Sequence, residues 1–204
     1  MRIELIRLIT AFLAGCIVMI LHEFPKALLY NSLNKNQDAK KKNNIYKLHQ
    51  YIDPIGILFC ATNQAGFSKP YMYRLKNRRS NLLLGICGFA SLLLIFIISV
   101  ATIKLQHSFS TPLKVNPNDG ILRLFIQFTM MNTALISLSM FLVNIFPVST
   151  FDMGLCIAAK SPSRYFSIIK NDYLIKILLI FAVIFQLLTY ISSYILTFLI
   201  KLRL

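Results

Sequence analysis

The chemistry in this chain concentrates near the end of its first apolar stretch, at Leu21-His22-Glu23-Phe24-Pro25-Lys26-Ala27. Ionisable side chains at bilayer depth are costly, so they are candidates for function. The frame is that of H-E-x-x-H. There, two His one helical turn apart hold zinc and the Glu between them acts as base. Here Lys26 occupies the second His position. A protonated lysine has three donors and no acceptor, so it offers a metal no lone pair and is repelled by it. On a helix, His22 and Lys26 share one face at i and i+4, with Glu23 about 100° away. Pro25 removes a backbone donor and predicts a kink beside them. Far along the chain, Asp152 sits in an otherwise apolar strip.

The elements that position these residues follow from hydropathy. The chain has 204 residues, is 56% hydrophobic, lacks Trp and carries a net charge of +15. Four apolar stretches are long enough to cross a bilayer, which takes about 20 apolar residues. They predict an all-α, polytopic membrane bundle forming one unit over 1–204. The spanning helices are expected at about 8–30, 81–103, 122–146 and 173–200. A fifth apolar run, about 54–62, is too short to span and reads as a re-entrant or interfacial segment.

Leu13-Ala14-Gly15-Cys16 resembles a lipoprotein cleavage box. The apolar run continues past it through Ile17-Val18-Met19-Ile20-Leu21, as a retained spanning helix does and a signal peptide does not. Cys16, Cys60, Cys87 and Cys156 show no C-x-x-C spacing and read as small buried hydrophobes. The third helix is unusually polar, with Gln127, Asn132, Thr133, Ser137, Ser139 and Asn144, and such side chains turn toward the bundle interior. Gln186, Thr189 and Ser193 form a polar stripe on the fourth, read as interhelical hydrogen bonding.

The polar stretches are basic. Lys35, Lys40, Lys41, Lys42 and Lys47 follow the first helix, and Arg74, Lys76, Arg78 and Arg79 precede the second. A loop from 104 to 120 holds His107, Pro112 and Pro117, and a polar linker with Lys160, Pro162, Arg164 and Lys170 leads to the last helix. In this setting the charge describes membrane topology, with the lipid bilayer as partner and no nucleic acid. Fourteen of the 22 Lys and Arg fall on the side of the loops 31–53, 63–80 and 147–176. The positive-inside rule makes that side cytoplasmic and puts both termini outside. His22, Glu23 and Asp152 then all lie near cytoplasmic helix ends, where they can meet.

Three blocks in this order resemble the site-2 protease family of intramembrane zinc metalloproteases. His22-Glu23-Phe24-Pro25-Lys26-Ala27 is similar to its H-E-x-x-H-A. Ile52-Asp53-Pro54-Ile55-Gly56 and Phe67-Ser68-Lys69-Pro70 are similar to its I-D-P-x-G and W-A-K-P segments. Asn144-x-x-Pro147 followed by Phe151-Asp152 is similar to its N-x-x-P-x-x-x-x-D-G block. The resemblance covers roughly residues 8–155. It implies a site-2-protease-like bundle in the cytoplasmic membrane of a bacterium. It also implies His22 and Asp152 as zinc ligands and Glu23 as the base that activates a zinc-bound water.

The departures shape the functional expectation. Lys26 replaces a ligand, and two remaining ligands fall short of the three a catalytic zinc takes from protein. Gly88-Phe89-Ala90-Ser91-Leu92 stands where the family has a G-P-x-x-N segment, and Met153 replaces the Gly after the Asp. The expectation is a non-catalytic relative, a pseudoprotease without zinc, that binds a transmembrane segment of a partner protein. The alternative is an active zinc endopeptidase cleaving a membrane protein, which needs a replacement ligand. His49 is the one candidate on the cytoplasmic side. A small transporter or assembly factor is the third reading. For Lys26 two readings stay open. It takes the place of zinc by pairing with Asp152 and Glu23, or it snorkels to the interface.

Overall fold

The computed structural model describes residues 2–34, 44–70, 77–108 and 121–201. Lys35, Asp38, Lys40, Lys41, Lys42, Arg74, Lys76, Pro112 and Pro117 lie outside them. Among the described residues, regular structure is helical throughout. Helix α1 spans Arg2–Leu33. After a 3-10 turn at Leu48–Tyr51 come α2 (Pro54–Asn63), α3 (Arg78–Ser108) and α4 (Ile121–Ile145). Helices α5 (Asp152–Lys160), α6 (Pro162–Ile184) and α7 (Leu187–Lys201) complete the chain.

α1, α3 and α4 are each long and apolar enough to cross a membrane, and α6 with α7 makes a fourth span if the bent pair counts as one. Large apolar side chains such as Phe12, Leu94, Ile98 and Phe198 stay exposed on these helices. An apolar exterior over an interior that holds the polar groups is what lipid as solvent requires. The chain is thus a helical membrane protein. Its centre is a cluster of Ala14, Val18, Met19, Ile57, Cys60, Leu92, Ile95, Ile136 and Met140, which joins α1 to α4.

Several expected boundaries change. α1 runs unbroken through Pro25 for two further turns, because Lys26, Ala27 and Tyr30 beyond the proline are all buried against the bundle. Tertiary packing there outweighs the missing N–H. α3 extends through His107 to Ser108, so the loop expected from 104 starts later. The polar linker before the last helix is itself helical, as α5 and the start of α6. The last helix is broken: α6 and α7 meet at 55°. Gln186 at the break has φ of 56°, a left-handed conformation that stops an α-helix.

The other left-handed residue, Gln64 (φ 53°), ends α2. The two breaks are stitched together. The Asn63 side chain donates to the Val183 carbonyl at 3.1 Å, and the Thr189 hydroxyl donates to the Asn63 carbonyl. Helix ends at membrane depth leave carbonyls that lipid cannot satisfy, so each break supplies a partner to the other. Thr189 in the polar stripe therefore does bond between elements, whereas Ser193 bonds back within α7 to Tyr190. In the third helix the expected inward turn holds for Asn132, Thr133, Ser137, Ser139 and Asn144, all buried, with Gln127 half-buried.

Candidate functional site

The site begins with how α2 folds back. Asp53 caps α2 by accepting from the Ile55 and Gly56 amides at 2.9 and 2.8 Å, and Pro54 follows at the first helical position. Both choices favour a helix start. The Gln64 side chain at the far end donates to Asn132, which donates to Thr10. The chain then returns alongside the start of α2. The return is tight: a Cβ on Gly56 would overlap the Phe67 carbonyl, and one on Gly66 would overlap the Gly56 carbonyl. It brings Ser68 to His22, twelve residues along α1 from Thr10, or about 18 Å of helix. The motif Ile52-Asp53-Pro54-Ile55-Gly56 is thus explained by capping and close approach.

The second half of the site comes from α5. Helix α4 stops at Ile145, before Pro147. The Asn144 side chain donates to the Met140 carbonyl at 2.9 Å and accepts from the Asp152 amide at 3.4 Å, tying the start of α5 to the end of α4. Gly154 fits against the Val148 carbonyl, where a Cβ would overlap. Phe151 packs against Phe67, with ring centroids 6.4 Å apart, so the two segments that deliver Ser68 and Asp152 brace each other. On the far side, Gly88 of α3 lies against the Asp152 carboxylate, and Gly85 against the Asp152 carbonyl and Cys156. These glycines, small enough for close helix approach, admit α5.

His22, Glu23, Lys26, Ser68 and Asp152 meet as one buried cluster. His22 Nε2 lies 2.9 Å from Asp152 Oδ2, and His22 Nδ1 lies 3.0 Å from Ser68 Oγ. Ser68 Oγ donates to Glu23 Oε1 at 2.9 Å. The Lys26 ammonium donates to Glu23 Oε1 at 2.9 Å and reaches Asp152 Oδ1 at 2.7 Å. His22 and Lys26, one turn apart on α1, therefore clasp the two oxygens of a single carboxylate. Lys26 is 1% exposed, so it pairs and does not snorkel. Asp152 opens α5, outside the spanning helices. Burial pushes its carboxyl up, but Lys26 and His22 beside it outweigh burial and hold it below the usual carboxylate range.

A zinc ion fits this donor set poorly. His22 Nε2 and Asp152 Oδ2 are engaged with each other, and a cation already bridges Asp152 and Glu23. A divalent ion would have to enter beside that ammonium with two ligands and the carboxylate that a protease uses as base. His49 does not supply a third, because it is exposed in the turn at Leu48–Tyr51. Among the described residues, no group of three or more His, Cys, Asp or Glu is arranged to hold a metal.

The sequence by itself gives Ser68 no role in the cluster. Ser68 is 46 residues from His22, in a non-helical segment with no periodic signal, so only the fold-back of α2 brings it in. Together these observations define a helical membrane protein with a buried ionic cluster where α1, the α2 return, α3 and α5 converge. No family model matches the chain, and neither a curated protein nor a solved structure matches it.

Proposed function

We propose that this chain is a non-catalytic relative of the site-2 intramembrane metalloproteases, in which Lys26 has taken over the electrostatic role of the metal. On this reading the bundle binds a transmembrane segment of a partner protein without hydrolysing it. One observation carries it: the Lys26 ammonium bonds both Glu23 and Asp152, the two carboxylates that would serve zinc chemistry. Two buried carboxylates need a compensating cation, and a lysine in their midst provides it without any metal. Support also comes from the fold-back of α2, which brings the segment resembling W-A-K-P beside the His-Glu pair.

The reading places the cluster at the cytoplasmic side of a bacterial membrane with both termini outside, following the distribution of Lys and Arg. Zinc content of the protein purified in detergent tests it, with His22→Ala and Asp152→Ala alongside. The expected result is no zinc above the level of the two variants. About one zinc per chain, lost in both, would restore the active endopeptidase and overturn the proposal. Lys26→His combined with Pro25→Ala asks how much of the old site survives. Gain of zinc would mean that only the ligand has been lost.

A further inference from the structure

A groove of about 770 Å³ opens between α5 and the start of α6. Its walls are of two kinds. Met153, Cys156, Ile157 and Ile168 give it an apolar lining, and Lys160, Ser161, Arg164 and Ser167 a polar one. Lys160 and Arg164 are exposed, and no carboxylate lines the groove. The two nearest acids in sequence are committed elsewhere: Asp152 to His22 and Lys26, Asp172 to Lys176 and the Ser149 amide.

Length fixes the level of this groove relative to the bilayer. α6 and α7 have 23 and 15 residues, about 57 Å of helix. A hydrocarbon core is about 30 Å thick. Part of the bent pair must therefore lie outside the core, and the polar part is the beginning of α6, with Arg164, Lys170 and Asp172. Exposed Phe166, Ile169 and Tyr173 alternate with these charges, a composition that suits the headgroup boundary. Two cations beside an apolar trough at that level are complementary to one amphiphile: a phosphate joined to an acyl chain.

We propose that the α5–α6 groove binds one anionic phospholipid. Lys160 and Arg164 take the phosphate, Ser161 offers its hydroxyl, and an acyl chain lies along Met153, Ile157 and Ile168. An anionic lipid is favoured over a zwitterionic one because nothing acidic in the groove would receive a choline or ethanolamine cation. The bound lipid braces α5, the helix that carries Asp152 into the cluster, against α6. The inference rests on the groove and the bilayer, and stands whether or not the metal reading does.

The test is native mass spectrometry of the full chain released from nanodiscs of phosphatidylcholine with or without phosphatidylglycerol. The wild type is expected to retain one phosphatidylglycerol. Lys160→Gln with Arg164→Gln is expected to bind it about 30-fold more weakly, from the loss of two cations at a membrane surface. Arg78→Gln with Lys170→Gln removes the same charge outside the groove and is expected to leave retention unchanged. Thermal melting in phosphatidylcholine alone checks that both double variants are folded. Equal retention by wild type and the groove variant overturns the proposal, as does an equal loss in the charge-matched control, which would mean diffuse attraction only. Stabilisation by millimolar inorganic phosphate equal to that by phosphatidylglycerol would mean a simple anion site and would also overturn it.

Discussion

The cluster at His22, Glu23, Lys26, Ser68 and Asp152 is held by partners that cannot be removed singly. Lys26→Ala would leave two carboxylates buried without their cation. Breaking a buried pair in this way costs roughly 3–5 kcal/mol. A large fall in the melting temperature in detergent is expected, and an unchanged one would sink the pairing role. Ser68→Ala removes the hydroxyl that links His22 Nδ1 to Glu23 Oε1 and leaves the ring nitrogen only its longer, 3.4 Å approach to Glu23. The expected loss is about 1–3 kcal/mol, read by the same melting experiment. Gly88→Ala acts from outside the cluster. Its Cβ would overlap the Asp152 carboxylate, and the neighbour in question is pinned by His22 and Lys26. Overpacking of about 1–3 kcal/mol is expected, with Ala90→Gly as a milder control elsewhere on α3.

Among the elements, α2 and the break between α6 and α7 behave as one joint. Asn63 and Thr189 cross-cap helix ends that membrane lipid would leave unsatisfied. Asn63→Leu removes one of these caps while keeping the volume and the apolar exterior. Hydrogen exchange should then quicken at Gln186 and Tyr190, whose amides close the turn around the break. Amides in the middle of α3 should be unaffected. Uniform quickening along all helices would mean that the stitching supports the whole bundle and not the joint. Asp53→Ala probes the other end of α2. Loss of this cap costs about 1 kcal/mol, and exchange at Ile55 and Gly56 should report it first.

At the scale of the whole molecule, the arrangement of charge predicts a topology. Exposed Tyr46 precedes the 3-10 turn, on the side assigned to the cytoplasm. A Tyr46→Cys variant, with the four native cysteines replaced by alanine, should react with an impermeant maleimide only after the membrane is opened. Reaction in intact cells would invert the proposed orientation.

Hydropathy by itself determined the class and most of the plan: spanning helices, a short apolar segment between the first two, and a polar interior face on α4. Lipid imposes these features through local composition, so they can be read without knowing what packs against what. It also singled out His22, Glu23, Lys26 and Asp152, because charge in an apolar run has no local explanation. Tertiary structure alone decided three things. The break at Gln186 is invisible in an apolar run without Pro or Gly; the Val183 carbonyl there accepts from both the Gln186 amide and the side chain of Asn63, 120 residues away. Ser68 enters the cluster only through the fold-back of α2. And Lys26, a side chain that could equally have reached for water, is turned inward because Asp152, held by α5 against Gly88, stands within 2.7 Å of its ammonium. An unpaired carboxylate in a low-dielectric interior leaves the nearest cation little choice.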